Sequence, residues 1–195
     1  MPIPLGVLAV AGAGGGGLAT SYDLLETTVL GSSAASVTFS SLGSYSAYKH
    51  LQLRIVARSA KVETADDFLL RINSDTGSNY ADHLMRARPS LGTVVSDAQT
   101  SQTAIRMGSQ NFIYAANANA NLFTNVVLDI LDFGNSSKNT TIRYLLGSQD
   151  GSTIINSVAV GSGLRTTASA VTTVQFYCAG GNVAANSRFS LYGIK

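Results

Sequence analysis

The sequence predicts an all-β protein, an antiparallel β-sandwich of jelly-roll-like form behind an extended N-terminal arm. Three observations carry that reading. Residues 48–58 alternate with period two: Leu51, Leu53, Ile55 and Ala57 share one parity, and His50, Gln52, Arg54 and Arg58 the other. Successive side chains of an extended chain point to opposite faces, so this is a strand with one apolar and one basic face. Val56 is the intruder on the polar parity. Clusters of Gly, Ser, Asn and Asp then cut the rest of the chain into short apolar runs, the punctuation of an antiparallel sheet protein. Finally, Gly12 and the run Gly14 to Gly17 separate an apolar leader from everything that follows.

The 195 residues suffice for one well-buried domain, expected over 21–195. Only 12% of residues are charged against 45% hydrophobic, where soluble domains carry roughly 25% charged residues. Ser, Thr, Asn, Gln and Gly must therefore cover the surface, which suits a protein packed against others because few charges need desolvation. A net charge of +2 does not point to nucleic acid. The lone Cys178 allows no intrachain disulfide and alternates with Val174 and Phe176, as a buried small hydrophobe does. No apolar run approaches the ~20 residues of a membrane-spanning helix. The first basic residue is Lys49, so the apolar N-terminus lacks the positive region of a signal peptide.

In order along the chain, residues 1–20 form the arm: an apolar hook of Ile3, Leu5, Val7, Leu8 and Val10 on a glycine tether. Strands are expected at 22–30, around Val37 and Phe39 with Leu42 as extension, at 48–58, at 68–72, and at 80–86 up to Pro89. Residues 59–66 read as a loop and 73–79, N-S-D-T-G-S-N, as a dense turn. Residues 90–103 read as a long polar loop. The short apolar pieces 104–107 and 111–114 are expected to pair around 108–110, and 115–121, A-A-N-A-N-A-N, to form a small-residue loop. Residues 122–133 are apolar on both parities, as in a strand buried on both sides or packed at a subunit interface. Strands follow at 140–147, at 153–160 after an Asp150-Gly151 turn, at 171–178, and at 188–194, with Gly161-Ser162-Gly163 expected to break the chain. That gives about ten strands with no repeat at fixed period.

Five stretches carry a resemblance: S-V-T-F-S at 36–40, Y-K-H-L-Q-L-R at 48–54, N-S-D-T-G-S-N-Y at 73–80, V-L-D-I-L-D-F at 127–133 and S-R-F-S-L-Y-G-I at 187–194. Together with the opening M-P-I-P-L-G-V-L-A they resemble a family of tailed-bacteriophage virion proteins plentiful among phages of aquatic bacteria. The resemblance implies a structural particle component, a β-sandwich and an oligomer, with a trimer by analogy. It brings no functional residues with it.

Motifs that could carry chemistry are few. Asp75-Thr76-Gly77 matches the aspartic-protease triplet, but Asn73 and Ser74 precede it where that site needs an apolar strand end, and the composition is that of a turn. Asp82-His83 would offer a base and its orienter, without a G-x-S-x-G elbow. His50 and His83 with Asp75 or Asp82 fit no metal-ligand spacing. Asp129 and Asp132 are expected on opposite faces, one of them paired with a strand arginine such as Arg54 or Arg143. Two glycosylation sequons, at 135–137 and 139–141, agree with an exposed loop. Gly14 to Gly17 lacks the Lys-Ser/Thr of a phosphate loop. Arg54, Arg58 and Arg71 lie on polar parities without the aromatic interleaving of a nucleic-acid surface.

The expectation is a virion protein without catalytic residues, cofactor or metal, made in the host cytoplasm and carried on the particle surface. It would partner itself as a homotrimer and other virion proteins through the arm. The preferred placement is the tail or baseplate, as a fibre or host-attachment head. A host glycan or protein would meet loops carrying Asn73, Asp75, Asn79, Tyr80, Asn117, Asn119 and Asn121. A capsid decoration protein clipped to the shell is the alternative, and a cell-wall hydrolase the remote one. No nucleic-acid or membrane partner is expected.

Overall fold

The computed structural model describes residues 21–88, 92–108, 110–149 and 157–195. The expected arm at 1–20, with its hook Ile3, Leu5, Val7, Leu8 and Val10, and the turn at Asp150-Gly151 lie outside the described residues.

The chain is an antiparallel β-sandwich. Its larger sheet contains β1 (Tyr22–Val29), β3 (His50–Ala57), β6 (Tyr80–Arg88), β7 (Thr93–Gln102), β10 (Thr124–Ile130), β11 (Thr140–Ser148), β12 (Ser157–Arg165) and β14 (Arg188–Ile194). These lie in the order β1-β14-β3-β10-β11-β12-β6-β7. The smaller sheet takes β2 (Val37–Phe39), β5 (Phe68–Ile72), β8 (Ile105–Met107) and β13 (Val174–Cys178), in the order β2-β13-β5-β8. A two-stranded ribbon joins β4 (Ala65–Asp66) to β9 (Ile113–Tyr114). The chain crosses repeatedly from one sheet to the other, which gives the jelly-roll-like form.

The core sits between the sheets and follows the strand parity. Leu51, Leu53, Ile55 and Ala57 of β3 are buried, as are Val126, Leu128 and Ile130 of β10 beside them. From the small sheet, Phe68, Leu70 and Ile72 and Val174, Phe176 and Cys178 close over that surface. Phe68, Phe176 and Phe189 pack ring against ring, with centroids 5.6–6.3 Å apart. The apolar environment around Cys178 pushes its thiol up to about 12, so it stays a neutral core group.

The structure differs from the sequence expectation in several places. There are fourteen strands among the described residues, because the short pieces β4, β8 and β9 each find a partner. Residues 93–102 are the edge strand β7 rather than a loop. Their polar side chains reflect an edge that gains a ladder with β6 but buries little. Gly161-Ser162-Gly163 does not break β12. Gly161 lies opposite Tyr144 in the neighbouring strand, and a Cβ there would stand 2.4 Å from the phenol ring. At Gly163 a Cβ would meet Ile105 at 2.7 Å. These glycines make room for neighbours inside a continuous strand. The segments 104–107 and 111–114 do not pair with each other: β8 joins β5 and β9 joins β4. Leu42 starts a short 3-10 turn, Leu42–Tyr45, and does not extend β2.

Candidate functional site

The outer face of the large sheet is where the parity rule gives way. On β3, β10, β11, β12 and β6 the inward residues form the core, and their alternates should be polar. Register instead places Arg54, Val127, Leu145, Val160 and Met85 directly side by side across these five strands. A second row, two residues along, runs Arg188, Val56, Asn125, Gly147, Val158, Ala87 and Val94. Val127 is 40%, Leu145 55%, Val160 48% and Met85 53% exposed. With Val56, Val158 and Val94, also exposed, they make one apolar band from β3 to β7. Five strand spacings set its length at about 24 Å.

At the β14 side the band deepens into a groove of about 460 Å³, floored by Val56, Val127, Leu145 and Val158 and walled by Arg54, Arg188 and Tyr192. Gly147, between Asn125 and Val158 in the register, leaves the floor open. Beyond the groove lies a third row with opposite character. Gln52 donates to Asp129 at 2.8 Å and accepts from the Tyr22 hydroxyl; Asp129 takes a 2.8 Å ion pair from Arg143. Tyr22 stacks on Tyr192, and the Arg54 guanidinium lies 5.3 and 5.1 Å from their ring centroids. Burial raises the Tyr22 phenol above its ordinary range, with Arg54 opposing. The polar row is paired within itself; the apolar band beside it is uncovered by any described residue.

The expected loop residues divide into two groups. In 73–79 the side chains are spent on the turn. The Asn73 amide donates to the Ala170 carbonyl, and its oxygen accepts from the Thr172 and Thr173 amides. Asp75 accepts from the Gly77 amide, from Asn79 and from Arg165 at 2.9 Å. Tyr80 is buried, its hydroxyl donating to the Ile72 carbonyl and accepting from the Ile72 amide. Tyr80 is therefore a core residue and not part of a recognition surface, while Asn73, Asp75 and Asn79 hold the loop's shape. Ser74, Thr76 and Ser78 form its exposed tip.

In 115–121, by contrast, Asn117, Asn119 and Asn121 are all exposed. Their loop is held from below by Arg58, whose guanidinium donates to the carbonyls of Ala115, Ala116, Ala118, Asn119 and Leu122. Burial lowers the Arg58 pKa. Nothing in the sequence marked Arg58 for this task, since its partners lie 57–64 positions away.

The remaining candidates are dispersed. Asp82 is buried and faces inward, whereas the adjacent His83 is exposed on the outer face, so they do not form a pair. His50 and His83 stand four strand spacings apart, about 19 Å. The His50 ring accepts from the Asp132 amide at 2.9 Å. Asp129 pairs with Arg143, and the exposed Asp132 with Lys138 at 2.7 Å. Lys138 lowers the Asp132 pKa. Arg71 donates to the Tyr177 hydroxyl and the Thr103 carbonyl. Among the described residues no three His, Cys, Asp or Glu side chains converge as metal ligands do, and no helix is long and apolar enough to cross a membrane.

No protein-family model and no curated protein matches the chain. Among solved structures it is similar to galectin LEC-6 of Caenorhabditis elegans, at TM-score 0.34 and 10% identity over 87% of this chain and 95% of that one. It is also similar to a marine PL-14 alginate lyase from Aplysia kurodai, at TM-score 0.31 and 10% identity over 75% and 68% of the two chains. Alginate lyase Aly36B gives TM-score 0.27 and 10% identity over 74% and 69%. Scores this low carry no argument about function.

Proposed function

We propose that this protein is a non-enzymatic structural component of a tailed-phage virion, an oligomeric surface protein that assembles through its arm and its outer sheet face. The observation that carries this reading is the apolar band, with Val127, Leu145, Val160 and Met85 about half exposed in one row. A contiguous apolar surface of this kind is a liability on a free monomer and the ordinary mark of an assembly contact. The sparse charge, 12% of residues, points the same way, as does the resemblance of 36–40, 48–54, 73–80, 127–133 and 187–194 to phage virion proteins. The placement favoured here is the tail or baseplate, because the exposed Asn117, Asn119 and Asn121 sit on a loop that Arg58 holds rigid. Adaptable amides on a fixed frame suit recognition of a host glycan or protein. A capsid decoration protein would use the same band against the shell.

The test is gold-labelled antibody, raised against the purified chain, applied to intact particles. Label on the tail supports the reading. Label confined to the head transfers it to capsid decoration. Unlabelled particles from a lysate that contains the protein would overturn the virion assignment altogether.

A further inference from the structure

We infer that the groove beside Tyr192 is a binding site for a single-tailed amphiphilic anion, an alkyl carboxylate whose charged end sits between Arg54 and Arg188 and whose tail lies across β10, β11 and β12. This goes beyond the virion reading and does not depend on it, since it concerns ligand binding by the purified chain.

The first argument is charge. Arg54 lies opposite Ser190 in the ladder between β3 and β14, and Arg188 lies opposite Val56. The two arginines are therefore diagonal neighbours on one face, about 7–8 Å apart along the sheet, and both are exposed. Among the described residues no carboxylate forms an ion pair with either of them. Asp129, in the adjoining polar row, is engaged by Arg143 and Gln52. The stack with Tyr22 and Tyr192 positions the Arg54 guanidinium but leaves its charge uncancelled. Arg188 donates to the neutral Ser190 hydroxyl at 3.5 Å. Two guanidiniums at this separation can donate to a single carboxylate.

The second argument is polarity. Apart from these two arginines, every residue lining the groove is uncharged, and the floor is Val56, Val127, Leu145 and Val158. The site is cationic at one end and apolar at the other. A small anion would leave that floor in water, and a neutral hydrocarbon would leave the arginines without a counter-charge. An identical face laid groove on groove would set four guanidiniums against one another, which disfavours a second copy as the occupant.

The third argument is space. The groove holds about 460 Å³, within the roughly 300–1,000 Å³ of small-molecule sites. From β3 to β12 is three strand spacings, about 14 Å. At about 1.2 Å per bond of an extended chain, that distance is roughly twelve bonds. Gly147 keeps this path open. Unlike Gly161 and Gly163, whose missing side chains make room for Tyr144 and Ile105, a Cβ at Gly147 would meet no atom within 4 Å. Packing does not demand a glycine there, and a side chain in its place would stand in the groove.

The test is calorimetric titration of the full chain with sodium dodecanoate below its micelle-forming concentration. Dodecyltrimethylammonium, with the same tail and the opposite charge, is titrated in parallel. Dodecanoate should bind at one saturable site, about ten-fold or more tighter than the ammonium, and should shift the methyl resonances of Val56, Val127, Leu145 and Val158. Its affinity should fall as salt is raised. The double variant Arg54→Met, Arg188→Met should weaken it about ten-fold. Gly147→Val, which fills the groove without touching the charge, should weaken it comparably while the chain unfolds as the parent does. No saturable binding, equal affinity for the two tails, or unchanged affinity in the double variant would each overturn the inference. So would a dimer in light scattering that binds no dodecanoate, which assigns the groove to a second copy. Sedimentation with phosphatidylglycerol vesicles, without binding of free dodecanoate, would overturn it by assigning the groove to a bilayer surface.

Discussion

Val127 and Leu145 face each other across β10 and β11 on the outside of the sheet, while their chain neighbours Leu128 and Leu146 are buried in its core. One residue step thus separates a side chain that holds the fold from one the fold does not need. Leu128→Ala should cost about 2–5 kcal/mol through lost burial and the cavity left behind. Leu145→Ser should change stability by no more than about 0.5 kcal/mol, as other surface substitutions do. It should nevertheless weaken self-association or incorporation into particles. Urea denaturation with light scattering on the same two variants separates the roles. A large stability loss in Leu145→Ser would show that the band is part of the folded core.

Gly161 tests the opposite case, a glycine required inside a strand. Its missing side chain is the space occupied by Tyr144, whose hydroxyl accepts from the Gly108 amide at 3.1 Å. Burial raises the Tyr144 phenol to about 12, so this hydroxyl stays protonated. Gly161→Ala should destabilise by about 1–3 kcal/mol through overpacking. Tyr144→Phe should cost about 1 kcal/mol for the lost hydrogen bond. Because the clash involves both ring and hydroxyl, the double variant should lose less than the sum. Strict additivity in thermal unfolding would sink this account.

The same pair shows why only part of the fold was legible. Period-two alternation in 48–58 located β3 and its buried face, since a strand that covers a core leaves that signature. The apolar runs of β10, β13 and β14 located those strands, and the terminal 188–194 needed no adjustment. The glycines of 161–163 misled because their cause is Tyr144, a residue in another strand. Strand β7 was invisible because an edge strand need bury nothing. The candidate site left traces without a pattern. Val56 broke parity and 122–133 was apolar on both faces, but only register shows Val127, Leu145, Val160 and Met85 in one row. Arg58 was unreadable as a loop anchor for the same reason: its partners are carbonyls, which every sequence has.

Acid should act in opposite senses on two carboxylates, the partly buried Asp75 and the buried Asp82. Burial would raise the Asp75 pKa, but hydrogen bonds from Gly77, Asn79 and Arg165 outweigh it and hold the carboxyl below its ordinary range. A depressed carboxylate adds stability above its unfolded value, roughly pH 4, and that contribution is lost as pH falls through the folded value. Asp82 is raised by burial, against the opposing hydrogen bond from the Arg106 amide. Its charge is a cost at neutral pH that disappears once it is protonated. Asp75→Asn should therefore destabilise at pH 7 and lose its effect toward pH 3, and Asp82→Asn should stabilise at pH 7 and converge on the parent at low pH. Chemical denaturation across that range measures both. Parallel curves for either variant and the parent would contradict the assigned shift.

Arg58 makes the sharpest prediction for the exposed loop. Its guanidinium is the common donor to five carbonyls between Ala115 and Leu122. Methionine at 58 keeps the length and apolar stem of the side chain but removes every donor. Those carbonyls can turn to water only if the loop opens, so Arg58→Met should free 115–122 locally more than it unfolds the sheet. Limited proteolysis should then cut within 115–122 at least ten-fold faster than in the parent. The β3 ladder should keep its hydrogen-exchange protection. Arg58→Lys should rescue little, because a single ammonium has three donors and cannot span the arc of acceptors. Full rescue by lysine, or uniform loss of protection across β3 and β10, would show that Arg58 acts through charge or general stability and not as the frame on which Asn117, Asn119 and Asn121 are presented.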